Sequence, residues 1–141
     1  MLDRSKLTGA DISIDFCGHH LQSPYILSSG PLCYGAEGMI KGHEAGVGAV
    51  VTKTIRLGAA INPVHHMGTV NNDSLINCEK WADSDRLNWY ENEIPKTVAA
   101  GAVVIGSVGH TLKEAQAIVQ DVERAGAHII ELVSYTEDTL L

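Results

Sequence analysis

Apolar residues in this chain gather in short runs, and three of those runs follow an Ala-Gly pair. "EAGVGAVVTKT" (44–54), "AAGAVVIGSV" (99–108) and "RAGAHIIELV" (124–133) share one plan, a helix-like segment closed by Ala-Gly and followed at once by a strand-like run. Glycine just past a helix end supplies the left-handed residue that stops it, and such short connections are typical of α/β units. Apolar Leu112, Ala115, Ile118, Val119 and Val122 recur at helical spacing behind Thr111 and Glu114, a capping-box pattern that predicts a helix over 111–125. A second helix is predicted over 84–100, with Pro95 breaking or kinking it near Glu93 or Ile94. A shorter helix is predicted over 36–45, after the turn-rich "SSGPLCYG". "PYILS" (24–28) reads as the first strand of the series, and 11–22 as a hairpin turning at Cys17-Gly18. Residues 56–83 hold turn formers with little periodicity and read as one long loop.

The order is hairpin, then four β/α units over 24–135. Alternating strands and helices predict an α/β fold with a parallel sheet and right-handed crossovers. Four parallel strands suit part of a doubly wound sheet or half of a (β/α)₈ TIM barrel. No GxGxxG follows the first strand and no Walker loop is present, which favours the half-barrel. In a barrel the chemistry lies where strands end. Here the ends carry Ser28-Ser29-Gly30, Lys53-Thr54, Ser107 with Gly109-His110, and Ser134-Tyr135-Thr136. A polar strand end is also simply where a loop begins, so a serine there says little. Lys53 says more, because an ammonium at the end of an apolar, β-branched run needs a partner or a ligand unless it snorkels. Plain alternation puts Lys53 on the face of Ala49 and Val51, with Glu131 on strand four as a conceivable partner.

Composition narrows the function classes. The 141 residues form one expected domain, with 45% hydrophobic and 19% charged residues, as in globular proteins. Ten Lys+Arg against seventeen Asp+Glu give a net charge of −7, which argues against nucleic acid or an anionic membrane as partner. No apolar run is long enough for a membrane span, and the N-terminus lacks a signal-peptide core. Cys17, Cys33 and Cys78, odd in number and widely spaced, read as free thiols in a cytoplasmic protein. His19-His20 and His65-His66 lack further ligands at metal-binding spacing, so no metal is expected.

"SPYILSSGPL", "GAVVTKTI", "NPVHH", "SLIN" and "AGAHIIEL", in this order, resemble the N-terminal half of the dihydroorotate dehydrogenase family and of the similar dihydropyrimidine dehydrogenases, over about residues 11–135. The resemblance implies an FMN-containing barrel that passes hydride between flavin and a C–C bond of a small cyclic substrate. It implies cofactor contacts from Ser28, Ser29, Gly30, Lys53, Thr54 and Ser107, and substrate contact from Asn77. Where the family continues with an asparagine and then a catalytic cysteine or serine, this chain reads Val133-Ser134-Tyr135-Thr136. Ser134 and Thr136 are the catalytic candidates that remain, with Tyr135 equally available, and a substrate other than dihydroorotate is implied. A whole barrel takes about 250 residues, with its phosphate site after strands seven and eight. FMN binding by this chain alone is therefore expected to be weak or absent, the chain being either a fragment or completed by a second half-barrel chain or a second copy. Two other readings stand beside this one: a Schiff-base aldolase or lyase using Lys53, and a non-catalytic half-barrel.

Overall fold

The computed structural model describes residues 10–59, 61–62, 64, 67–78 and 85–133. Strands β1 (Ile14–Phe16) and β2 (His19–Leu21) pair antiparallel, Ile14 opposite Leu21. Their turn holds Cys17 at φ 49° and Gly18 at φ 81°, the doubly left-handed geometry that suits the twist of a two-residue hairpin.

Strands β3 (Ile26–Leu27), β4 (Ala49–Val51), β7 (Val103–Val108) and β8 (Ile129–Leu132) form one parallel sheet in sequential order, joined through helices α1 (Ala36–Glu44), α2 (Arg86–Asn88), α3 (Ile94–Ala99) and α4 (Leu112–Arg124). The fold is thus mixed α/β on a four-stranded parallel sheet. On one face Val50, Val104 and Val108 pack with Met39, Trp89, Ile94, Ala115, Ile118 and Val122 of the helical segments. On the other, Ala49, Val51 and Ile105 meet Leu21 and Ile14 of the hairpin. Helices cover one face and the hairpin covers the other.

The three Ala-Gly pairs act as expected. Gly46, Gly101 and Gly126 all have φ between 90° and 107°. In each, the glycine N–H bonds back to a carbonyl of the last turn (His43, Val98, Glu123) and the next residue's N–H reaches one residue further (Gly42, Thr97, Val122). This double closure satisfies carbonyls that a helix end would otherwise leave bare.

The irregularity expected of Pro95 near Glu93 or Ile94 is present, since α3 restarts at Ile94 after a π-helical stretch, although the chain stays helical across it. Between α2 and α3 the chain runs through a π-turn at Trp89–Glu93, in which Ile94 N–H bonds to Trp89 O. Proline lacks an N–H and crowds the carbonyl four residues back. The wider turn absorbs both faults, and Thr97 Oγ1 donates to the Glu93 carbonyl at 2.7 Å. The same turn aims the Glu93 carboxylate at α1, where Oε2 accepts Ala36 N–H at 2.5 Å while Oε1 accepts Asn88 Nδ2 at 3.2 Å. Gly35 offers α1 no side-chain cap, so a residue from another helix caps it.

The expected long loop 56–83 is corrected. It contains a second hairpin, β5 (Met67–Val70) and β6 (Ser74–Asn77), paired Met67 to Asn77 and exposed along its length. Asn71 at φ 52° opens its turn, a conformation asparagine tolerates better than most residues. Of the other expectations, Pro63, His65, His66, Ser84, Ser134 and Thr136 lie outside the described residues.

Candidate functional site

All four strands of the main sheet run the same way, so their C-terminal ends and following loops share one rim. Strand β3 leads into Ser28-Ser29-Gly30 and a 3₁₀ turn, Pro31–Cys33, in which Cys33 N–H bonds to Gly30 O. The Cys33 thiol is buried and donates to Ser28 O at 3.4 Å. Burial pushes this thiol up from its ordinary value, against the opposing pull of the Gly30 backbone and Lys53. It is therefore a packed thiol rather than a ready nucleophile.

The end of β4 departs from plain alternation. Val51 is level with Ile105, an offset of 54, but Ile55 bridges Val108, an offset of 53. Three residues, Thr52, Lys53 and Thr54, therefore face two, Gly106 and Ser107. This is a bulge in a parallel pair, a device that re-aims side chains. The faces confirm it: Val51 lies in the hairpin-side cluster, whereas Ile55 lies in the helix-side cluster. An unbroken strand would put residues four apart on one face.

The bulge is pinned by a side chain. Thr52 Oγ1 accepts the buried Ser107 N–H at 3.0 Å, in place of a backbone carbonyl. Thr52→Val keeps the shape and orphans that N–H, which costs about 1–3 kcal/mol. Urea denaturation should show that loss for Thr52→Val and little change for Thr52→Ser.

Past the bulge, Thr54 takes the inward place, its Oγ1 3.2 Å from Ser107 Oγ with both residues buried. Lys53, only 9% exposed, turns toward the loop after β3, its Nζ 5.5 Å from the centre of the Tyr34 ring. The expected sharing of a face with Val51 is thus corrected by the bulge. The conceivable pairing with Glu131 is not formed either, since Glu131 sits exposed on the edge strand beyond Ser107.

The structure therefore gathers Ser28 with its loop, Lys53, Thr54 and Ser107 on one rim, and adds Tyr34, Cys33 and Thr52, which sequence reasoning did not single out. Asn77 belongs to the separate β5–β6 hairpin. Beside the site, Glu114 takes Arg56 at 3.2 Å and His110 N–H at 3.3 Å. A scan against protein-family models finds no match to the chain, and a search of curated proteins finds none either.

Two features bear on what this rim can hold. A Cβ built on Gly30 would meet only Ser28 O, at 3.7 Å, so internal packing does not demand glycine there and the space is open to a ligand. The N-terminus of α1 is already served by the Glu93 carboxylate and that of α4 by the Thr111 hydroxyl, so neither offers an uncapped end to a phosphate. Among the described residues no cluster of three or more His, Cys, Asp or Glu could hold a metal ion, and no helix is long and apolar enough to cross a membrane.

Proposed function

We propose that the chain is half of a (β/α)₈ barrel whose rim binds the ring of FMN, in an oxidoreductase that acts on a C–C bond of a small cyclic substrate other than dihydroorotate. The observation that carries this reading is Lys53, nine-tenths buried at the C-terminal end of a parallel strand and followed in the chain by Thr54, whose hydroxyl pairs with that of Ser107. Sequential strand order with helices on one face supports the half-barrel, since a doubly wound sheet reverses its order and carries helices on both faces.

The donor set suits a flavin's polar edge. FMN, when bound, supplies hydride chemistry. Lys53 presents a fixed cation that stabilises negative charge developing on a bound ring. Thr54 and Ser107 supply hydroxyls at the same level, and Gly30 leaves room for a planar group. The Tyr34 ring, its centre 5.5 Å from Nζ, helps to hold the Lys53 side chain in place by a cation–π contact. The seat for the phosphate falls to the completing half, whether a continuation of the same sequence, a second half-barrel chain or a second copy. Ser134 and Thr136 stay as proposed proton-transfer groups, Asn77 as a proposed substrate contact, and the cytoplasm as the proposed compartment.

FMN titrated at high concentration into the ¹⁵N-labelled chain should shift the amides of Ser28–Gly30, Lys53, Thr54 and Ser107 before others. Lys53→Met should weaken the response about tenfold or more, the loss of one charge-assisted contact. Shifts scattered elsewhere, or an unchanged response in Lys53→Met, would overturn the flavin reading. Borohydride trapping of a carbonyl compound on Lys53 would replace it with the Schiff-base one.

A further inference from the structure

At the opposite end of the sheet, a pair of histidines joins the β1–β2 hairpin to the edge strand. His128 immediately precedes β8, and its backbone N–H bonds to Val104 O at 2.9 Å. Its ring returns to the same residue, Nδ1 accepting Val104 N–H at 3.1 Å. Backbone and side chain of His128 thus clasp both polar groups of Val104. From the hairpin, His19 Nε2–H donates to His128 O at 3.1 Å, and the two rings meet edge to face, centroids 5.3 Å apart at 89°.

An imidazole that accepts through Nδ1 is neutral, with its proton on Nε2. A proton on Nδ1 removes the acceptor, leaves Val104 N–H facing a donor, and sets a cation against the His19 ring. We propose that His128 is a proton-operated latch: neutral, it holds the β1–β2 hairpin and the start of β8 against β7, and protonation releases them.

The surroundings offer the cation little compensation. Strand β7 carries no titratable residue. On the hairpin, Asp15 is bonded to His20 at 3.0 Å. On β8, Glu131 is three residues on and exposed, and at the end of α4 Arg124 pairs with Asp121 at 2.9 Å. His128 is exposed as a residue, but partial burial of its ring, with His19 adding to it, holds the ring below its ordinary 6.5. The unfolded or opened chain then binds the proton more readily than the closed one. Stability from the latch is full above pH 6.5 and falls as pH drops from there to the lowered value of the closed state. Release would uncover Leu21 and Ile14, which cover Ala49, Val51 and Ile105.

Amide hydrogen exchange, corrected for its intrinsic pH dependence, tests this between pH 7.5 and 5. Protection of the β1–β2 ladder should fall on acidification, by about tenfold for each pKa unit that separates closed from open His128. In His128→Asn the amide oxygen stands in for Nδ1 and does not titrate, so the pH dependence should vanish. His20→Asn should leave it in place. Ladder protection that is flat with pH in the wild type, or equally pH-dependent in His128→Asn, would overturn the proposal. The wild type alone supplies a second check, because the Val104 amide shift should titrate with a midpoint below 6.5. A Val104 amide that does not move with pH would also overturn it.

Discussion

Gly38→Ala should destabilise the protein by about 3 kcal/mol or more, against the sign that helix propensity predicts. Alanine in place of glycine inside a helix ordinarily stabilises by about 1 kcal/mol. Here a Cβ would lie 1.8 Å from Leu32 O and 2.9 Å from Leu32 C, both backbone atoms. No rotamer relieves that contact. The 3₁₀ turn Pro31–Cys33 must lift away from α1, drawing Cys33 from the core and Tyr34 from Lys53. Overpacking against rigid atoms falls at the upper end of such penalties, and for a chain of this size the fall in Tm should be about 10 °C. Thermal and urea unfolding read it directly. A variant as stable as the parent would mean that the loop after β3 does not rest on α1 as described. Because that loop carries Ser28, Ser29 and Gly30, the same variant should also scatter the FMN-induced shifts.

Trp89→Ala should lose about 3–5 kcal/mol, the range for truncating a large buried aromatic. Trp89 is fully buried and shares its cluster with Cys33, Met39, Ile55 and Ile94. It therefore underpins both the site loop and the segment just past the β4 bulge. Trp89→Phe separates the two components of its energy. Among the described residues the buried indole Nε1–H has no hydrogen-bond partner, a penalty of about 1–3 kcal/mol that phenylalanine removes. Much of the smaller ring's lost packing should be offset, leaving Trp89→Phe within about 1.5 kcal/mol of the parent. Equal losses in the two variants would indicate that the indole N–H is satisfied in solution.

Much of the fold was legible because its signals are local. The Ala-Gly pairs marked helix ends correctly, since the cap closes within six residues. Thr111 and Glu114 behaved as a cap, Thr111 Oγ1 accepting Glu114 N–H at 3.2 Å, although the Glu114 carboxylate turned to Arg56 and His110 instead of closing the box. The β5–β6 hairpin was missed although Asn71-Asn72-Asp73 between two β-prone tetrapeptides signalled it; short alternation is easily lost inside a turn-rich stretch. At the site, Lys53, Thr54 and Ser107 stood out as polar groups closing apolar runs. Tyr34 and Thr52 did not, because a tyrosine in a loop and a threonine in a strand announce nothing until a neighbouring segment reaches them.

The sequence by itself determined the alternation of strand and helix, the three helix stops and the set of polar residues at the strand ends. Each depends on backbone preferences and periodicity within a few residues. Only the tertiary structure decided the direction of Lys53, because the bulge exists only in the comparison of β4 with β7. It alone decided that α1 is capped by Glu93, 57 residues away, and that Gly38 admits no side chain. It also decided that His128 clasps Val104 across 24 residues. These are contacts between segments that the chain brings together only when folded, and no local pattern encodes a distance between them.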